Sequence, residues 1–150
     1  MQKSGLAAHC RGLLEERIND INSELEALNE SLQGETKSSA GDKHETSRAM
    51  MNLEQEKMRR QLHEAQTMRE SFLKIDFNRT STQAIPGSLI YTDQGVFLLS
   101  IGLGKVQYEG KEIILLSPAS PLGSALLQRS SEEEEEAELN GKKYRIEKVV

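Results

Sequence analysis

From Leu14 onward the apolar positions fall at Leu14, Ile18, Ile21, Leu25, Leu28 and Leu32, in alternating steps of four and three. That repeat marks the seam of a supercoiled helix, which has to bury its stripe against another helix. The stretch Lys37-Ser38-Ser39-Ala40-Gly41 breaks the pattern with small and polar residues. A second helical run begins near Glu45 and carries Met51, Met58, Leu62, Ala65, Phe72 and Ile75 at mostly heptad spacing. Two such stripes joined by a short break predict an antiparallel hairpin, because each hides its seam only against the other. At the helical rise, the distance from Asp42 to Ile75 is roughly 50 Å. The second run is poor in apolar residues near the break, so the tip, placed near residues 37–45, is expected to be the least stable region.

After Asn78 the alphabet shifts to Gly, Pro, Thr and β-branched residues. Ile85-Pro86-Gly87 reads as a linker, with Pro86 stopping any helical continuation. Ser88–Thr92 reads as a strand, Asp93-Gln94-Gly95 as a turn, and Val96–Ile101 as the partner strand. Lys111–Leu116 is a further apolar strand. Pro121–Gln128 reads as a short helix, with Ser120 as its cap and Pro121 at the first helical position. Glu138-Leu139, the turn Asn140-Gly141 and the strand Lys142–Val149 read as a hairpin. The expected fold class is α+β. Residues 1–78 form a coiled-coil hairpin, and residues 84–150 form a small antiparallel sheet with one short helix.

Composition limits the functions open to such a chain. Charged residues make up 29% of the 150 and aromatics 4%, with no Trp, which suits a coiled coil joined to a small domain. A formal net charge of −5 argues against duplex binding driven by charge, so no sequence-specific DNA binding is expected. One cysteine, Cys10, excludes an intrachain disulfide framework and fits a reducing, cytoplasmic setting. No apolar h-region follows Met1, and no stretch approaches the ~20 apolar residues of a membrane span.

Motifs for autonomous chemistry are missing from the sequence. The acidic run Glu132–Glu136 reads as a solvated loop or a charged edge strand, since consecutive carboxylates do not converge on one ion. His9, His44 and His63 lie far apart and lack zinc-finger partners. Gly102-Leu103-Gly104-Lys105 lacks the strand–helix context of a phosphate loop. Asp42 and Glu45, where the two stripes meet, remain. One reading makes them an ordinary helix start, where acids are favourable. The other makes them a carboxylate pair carried on the end of a rod to a distant place.

Three features together resemble the Gre transcript-cleavage factors. Ser120-Pro121-Leu122-Gly123-Ser124-Ala125-Leu126-Leu127 looks like the Ser-Pro-aliphatic-small segment in that family's C-terminal, FKBP-like domain. An acidic stretch and a closing strand follow it, as in the family. Asp42-Lys43-His44-Glu45 resembles the Asp-x-x-Glu at the tip of the family's coiled coil. The order of parts, hairpin first and FKBP-like domain second, also agrees. The resemblance implies a partner, RNA polymerase, bound at its secondary channel. It implies that Asp42 and Glu45 help hold a Mg²⁺ shared with the polymerase while the polymerase cleaves backtracked RNA. The factor would then bind no cofactor alone, would not be an enzyme by itself, and would meet the nascent RNA 3′ end only indirectly.

By the same resemblance Ser120, Pro121 and Leu122 are the candidate polymerase-docking residues, and Lys43 and Arg48 are candidates for the RNA path. The pattern also departs from the family. Thr46-Ser47-Arg48-Ala49-Met50 follows the tip where the family continues with Glu, Asn and Tyr, and Lys43 and His44 sit between the acids. Two alternatives stay open: a channel occupant that inhibits or modulates without stimulating cleavage, and a plain coiled-coil interaction module. A self-buried seam predicts a monomer. The aromatic content of the second domain is too low for a prolyl-isomerase pocket.

Overall fold

A computed structural model describes residues 1–36, 42–133 and 135–150, without the side chains of residues 35, 36 and 42–44. The sequence-predicted turn at 37–41, Glu134 of the acidic run, and the side chains of Asp42, Lys43 and His44 therefore lie outside the described residues. Two compact units result: Leu13–Arg69, and Met1–Gly12 together with Glu70–Val150.

Two helices dominate the first half, α1 (Lys3–Thr36) and α2 (Asp42–Leu73). Both extend further than the apolar stripes suggest, α1 toward the N-terminus and through Gly34, α2 back to Asp42. Within the unit Leu13–Arg69 they pack as the heptads predict. Ile18, Ile21, Leu25 and Ala65 are buried in one cluster, with Met58 and Leu62 packed against it. Polar contacts set the direction. Glu15 Oε2 accepts from Arg69 Nη1 at 3.2 Å, and Asn29 Oδ1 accepts from Gln55 Nε2. Going forward from Glu15 to Asn29 on α1 carries the partner backward from Arg69 to Gln55 on α2, so the pair is antiparallel.

The second half is a six-stranded sheet of order β3-β4-β2-β1-β6-β5 with one short helix. Its strands are β1 (Leu89–Thr92), β2 (Gly95–Leu99), β3 (Gly104–Tyr108), β4 (Lys111–Leu116), β5 (Glu136–Leu139) and β6 (Lys142–Val149). Helix α3 (Pro121–Leu126) separates β4 from β5. The class is α+β as the sequence predicts, but the sheet is mixed: β2 and β4 run parallel, in the register Val96↔Ile113 through Leu99↔Leu116. The cause is β3, which the sequence reading does not contain. The chain leaving β2 skips one place to lay down β3 at the edge. It then returns into the gap as β4, antiparallel to β3 and therefore parallel to β2.

Turn chemistry accounts for the hairpins. Asn140 (φ 53) and Gly141 (φ 80) both adopt the left-handed conformation that a tight two-residue β-hairpin requires. The β3–β4 turn uses Glu109 (φ 50) and Gly110 (φ 74) in the same way, with Glu where Asn or Gly is usual. Ile85-Pro86-Gly87 is more than a linker. Gly87, at φ 96, donates its N–H to Leu99 O at 2.7 Å, and the Ile85 N–H bonds Ser88 Oγ at 2.9 Å. A Cβ at Gly87 would come within 2.9 Å of the Asp76 carbonyl oxygen, so glycine is required there sterically as well as by its φ.

Alternation along the strands sends side chains to both faces of the sheet. Ile90, Phe97, Leu99, Tyr144 and Ile146 form a core with Ala84, Leu126 and Ala137. On the opposite face Leu89, Leu98, Val106, Ile113 and Leu115 are buried as well. Tyr108 lies on this second face. The first turns of α1 reach it there, with the His9 ring 5.2 Å from the Tyr108 ring and His9 Nε2 3.1 Å from Gln107 O. At the other edge, Glu136 and Glu138 of β5 are exposed while Ala137 between them is buried. Part of the acidic run is thus a charged edge strand, which blocks edge-to-edge pairing.

Candidate functional site

Asp42 and Glu45 occupy the first turn of α2, three residues apart and thus on one helical face. Glu45 is exposed, as is Arg48. Among the described residues no group of three or more His, Cys, Asp or Glu side chains could hold a metal ion. Two carboxylates on one helical turn supply only part of the oxygen set that Mg²⁺ requires.

The second candidate segment lies in the other compact unit. Ser120, with φ −67 and ψ 158, caps α3: its Oγ accepts from the Gly123 N–H at 3.0 Å and donates to Ser117 O at 2.6 Å. Pro121 follows at the start of the helix, where its missing N–H costs nothing, and it is exposed. Leu122 is half-buried and packs against the sheet core. Ser124 Oγ donates to Pro118 O at 3.0 Å. The Ser120 hydroxyl and the Leu122 side chain are therefore engaged inside the domain, and Pro121 is the member of the trio that faces solvent.

Sequence reasoning passed over Lys3. Only 8% of this lysine is exposed, and its Nζ donates to Arg79 O at 3.1 Å and to Val150 O at 3.0 Å. Burial lowers its pKa, and the nearby Asp76 carboxylate opposes part of that shift. The signal was present in the spacing, because Lys3 continues the buried stripe Leu6, Cys10 and Leu14 toward the N-terminus.

The fold and these residues define an α+β protein whose helical hairpin carries two acids on the first turn of its second helix, followed by a mixed sheet capped by a short helix. No helix among the described residues is long and apolar enough to cross a membrane. No family model matches the chain, and no curated protein matches it. Among solved structures it is similar to the GreA factor homolog 1 protein of Thermus thermophilus. The two share 15% identity over 93% of this chain and 92% of that one, with a TM-score of 0.36. A likeness at that level does not establish a shared family.

Proposed function

We propose that the protein regulates transcription elongation by binding RNA polymerase at its secondary channel and presenting Asp42 and Glu45 to the polymerase active centre. The observation that carries this reading is the placement of both acids on the opening turn of α2, with Glu45 exposed. The sequence resemblance of the tip and of the Ser120–Leu127 segment to the Gre factors supplies the partner. In a compact protein two acids at a hairpin end stabilise little. On a rod roughly 50 Å long they become deliverable. A shared Mg²⁺, when bound, polarises the phosphodiester and lowers the pKa of an attacking water. Asp42 and Glu45 contribute oxygen ligands and orient that water; the polymerase supplies the remaining ligands and cleaves the RNA. The protein is then a cytoplasmic, monomeric accessory factor and not an enzyme on its own. Pro121, at the exposed start of α3, is its candidate contact with the polymerase rim, and Lys43 and Arg48 border the RNA path.

A second reading, in which the protein occupies the channel without stimulating cleavage, is favoured by Thr46-Ser47-Arg48 standing where the family carries Glu, Asn and Tyr. Transcript cleavage in a stalled, backtracked elongation complex with the cognate polymerase separates the two. Stimulation by wild type, lost by at least about a hundredfold in Asp42→Ala/Glu45→Ala, is the expected result. Competition with an authentic cleavage factor without stimulation selects the second reading. Absence of polymerase binding overturns both.

A further inference from the structure

A cleft of about 230 Å³ opens in the compact unit made of Met1–Gly12 and Glu70–Val150. Ala7 and Ala8 of α1 form one side, and Phe72, Ile75 and Phe77 form the other. The two phenylalanine rings pack with centroids 4.8 Å apart, giving an ordered aromatic wall. Leu73, 54% exposed, also lines the opening. Arg11 lies on the same face of α1 as Ala7 and Ala8, by i+4 and i+3 spacing, and also lines the cleft. This face is distinct from the Lys3–Leu6–Cys10 stripe, which is buried.

Charge decides what the cleft accepts. The cleft-lining Asp76 carboxylate already takes a hydrogen bond from the Asn78 N–H at 3.0 Å and acts on the buried Lys3. Among the described residues no carboxylate pairs with exposed Arg11. The cleft therefore combines an apolar surface with an Arg11 guanidinium that makes no ion pair among the described residues, while its one lining carboxylate, Asp76, is engaged with the Asn78 N–H and with Lys3. Its size argues against a cofactor or metabolite, whose sites usually run to about 300–1,000 Å³. One large side chain fits it better, as an anchor residue fits the pocket of a protein–protein hot spot. We propose that this cleft docks a segment of a partner protein that inserts one aromatic or leucine side chain and sets a neighbouring carboxylate against Arg11. Nothing in this depends on the partner being RNA polymerase.

The test is an amide-detected NMR titration of the intact chain with two capped peptides, Ac-Gly-Phe-Glu-Gly-NH2 and its Gln analogue. Shifts are expected at Ala7, Ala8, Ile75 and Phe77, with the Glu peptide binding about threefold tighter, the range of an exposed ion pair. Arg11→Gln should abolish that preference and Arg11→Lys should keep part of it. Ala8→Leu, at an exposed position and directed into the cleft, should weaken both peptides by at least about tenfold. No shift at these amides up to about 10 mM peptide, or an equal Glu preference in wild type and Arg11→Gln, overturns the proposal. So does tighter binding of free 4-phenylbutyrate than of the Glu peptide, which would make the cleft a small-molecule site.

Discussion

Cys10 is fully buried in α1, and burial pushes its thiol up to about 11 from an ordinary value of 9.0. Between those values the unfolded chain has released its proton while the folded one retains it. The stabilisation is therefore complete below about pH 9 and is lost as pH rises through about 11. Lys3 has the opposite sign. Its lowered pKa lets the folded state release a proton before the unfolded state does, so its term rises with pH up to about 10.5. Comparing wild type with Cys10→Ala removes the lysine contribution. Between pH 8 and 10.5 the wild type should lose about 2 kcal/mol more than the variant in urea titrations; equal slopes would show that the thiol is not protected. Gly123 is a second residue-scale determinant. A Cβ there would fall on the Ser117 carbonyl oxygen and 2.7 Å from Ser120 Oγ. Gly123→Ala should destabilise by about 2–4 kcal/mol through that clash and the loss of the cap, read as a lowered urea midpoint.

At the scale of elements, the hairpin separates seam from surface. Ile18 and Ile21 are buried in the cluster that α2 completes with Ala65. Truncating either to Ala should cost about 2–4 kcal/mol in thermal or urea unfolding. Met50 and Leu53 on α2 are each 66% exposed, and the same truncation there should stay within about 0.5 kcal/mol. Comparable losses at all four positions would contradict this division into buried seam and exposed surface. In α3 the expected loss for Ser120→Ala is about 1 kcal/mol, because Gly123 N–H would lack its acceptor. Any loss of polymerase binding in that variant must be weighed against this structural effect, whereas Pro121, exposed at the first helical position, can be changed with less disturbance.

At the scale of the molecule, a hairpin that buries its own seam leaves no long apolar stripe among the described residues to drive association. Sedimentation is therefore expected to give a single chain at micromolar concentration. A concentration-dependent dimer would favour the plain interaction module over the channel-binding factor. A formal net charge of −5 offers no broad basic surface of the kind that phosphate contacts on duplex DNA require. The proposed binding to polymerase would depend on local surfaces, with Pro121 and the tip acids as its candidates.

Local patterns were sufficient to foretell the helices, the Asn140-Gly141 hairpin, the Ser120-Pro121 helix start and the α+β class. Each rests on interactions a few residues apart: heptad spacing, a cap three residues from its donor, a turn with two left-handed residues. The strand β3 and the parallel β2–β4 ladder could not be read that way. Glu109 does not announce a turn, and which strand lies beside β2 depends on how side chains from distant segments fill both faces of the sheet. The same holds for Lys3, whose acceptors Arg79 O and Val150 O lie far along the chain. It holds too for the apolar cleft beside Arg11, which exists only because the start of α1 and the segment after α2 fold into one unit. Short-range chemistry in the sequence determined the helices, most of the strands and the acids at the start of the second helix; burial across long sequence separations decided β3, strand order and which polar groups are held inside.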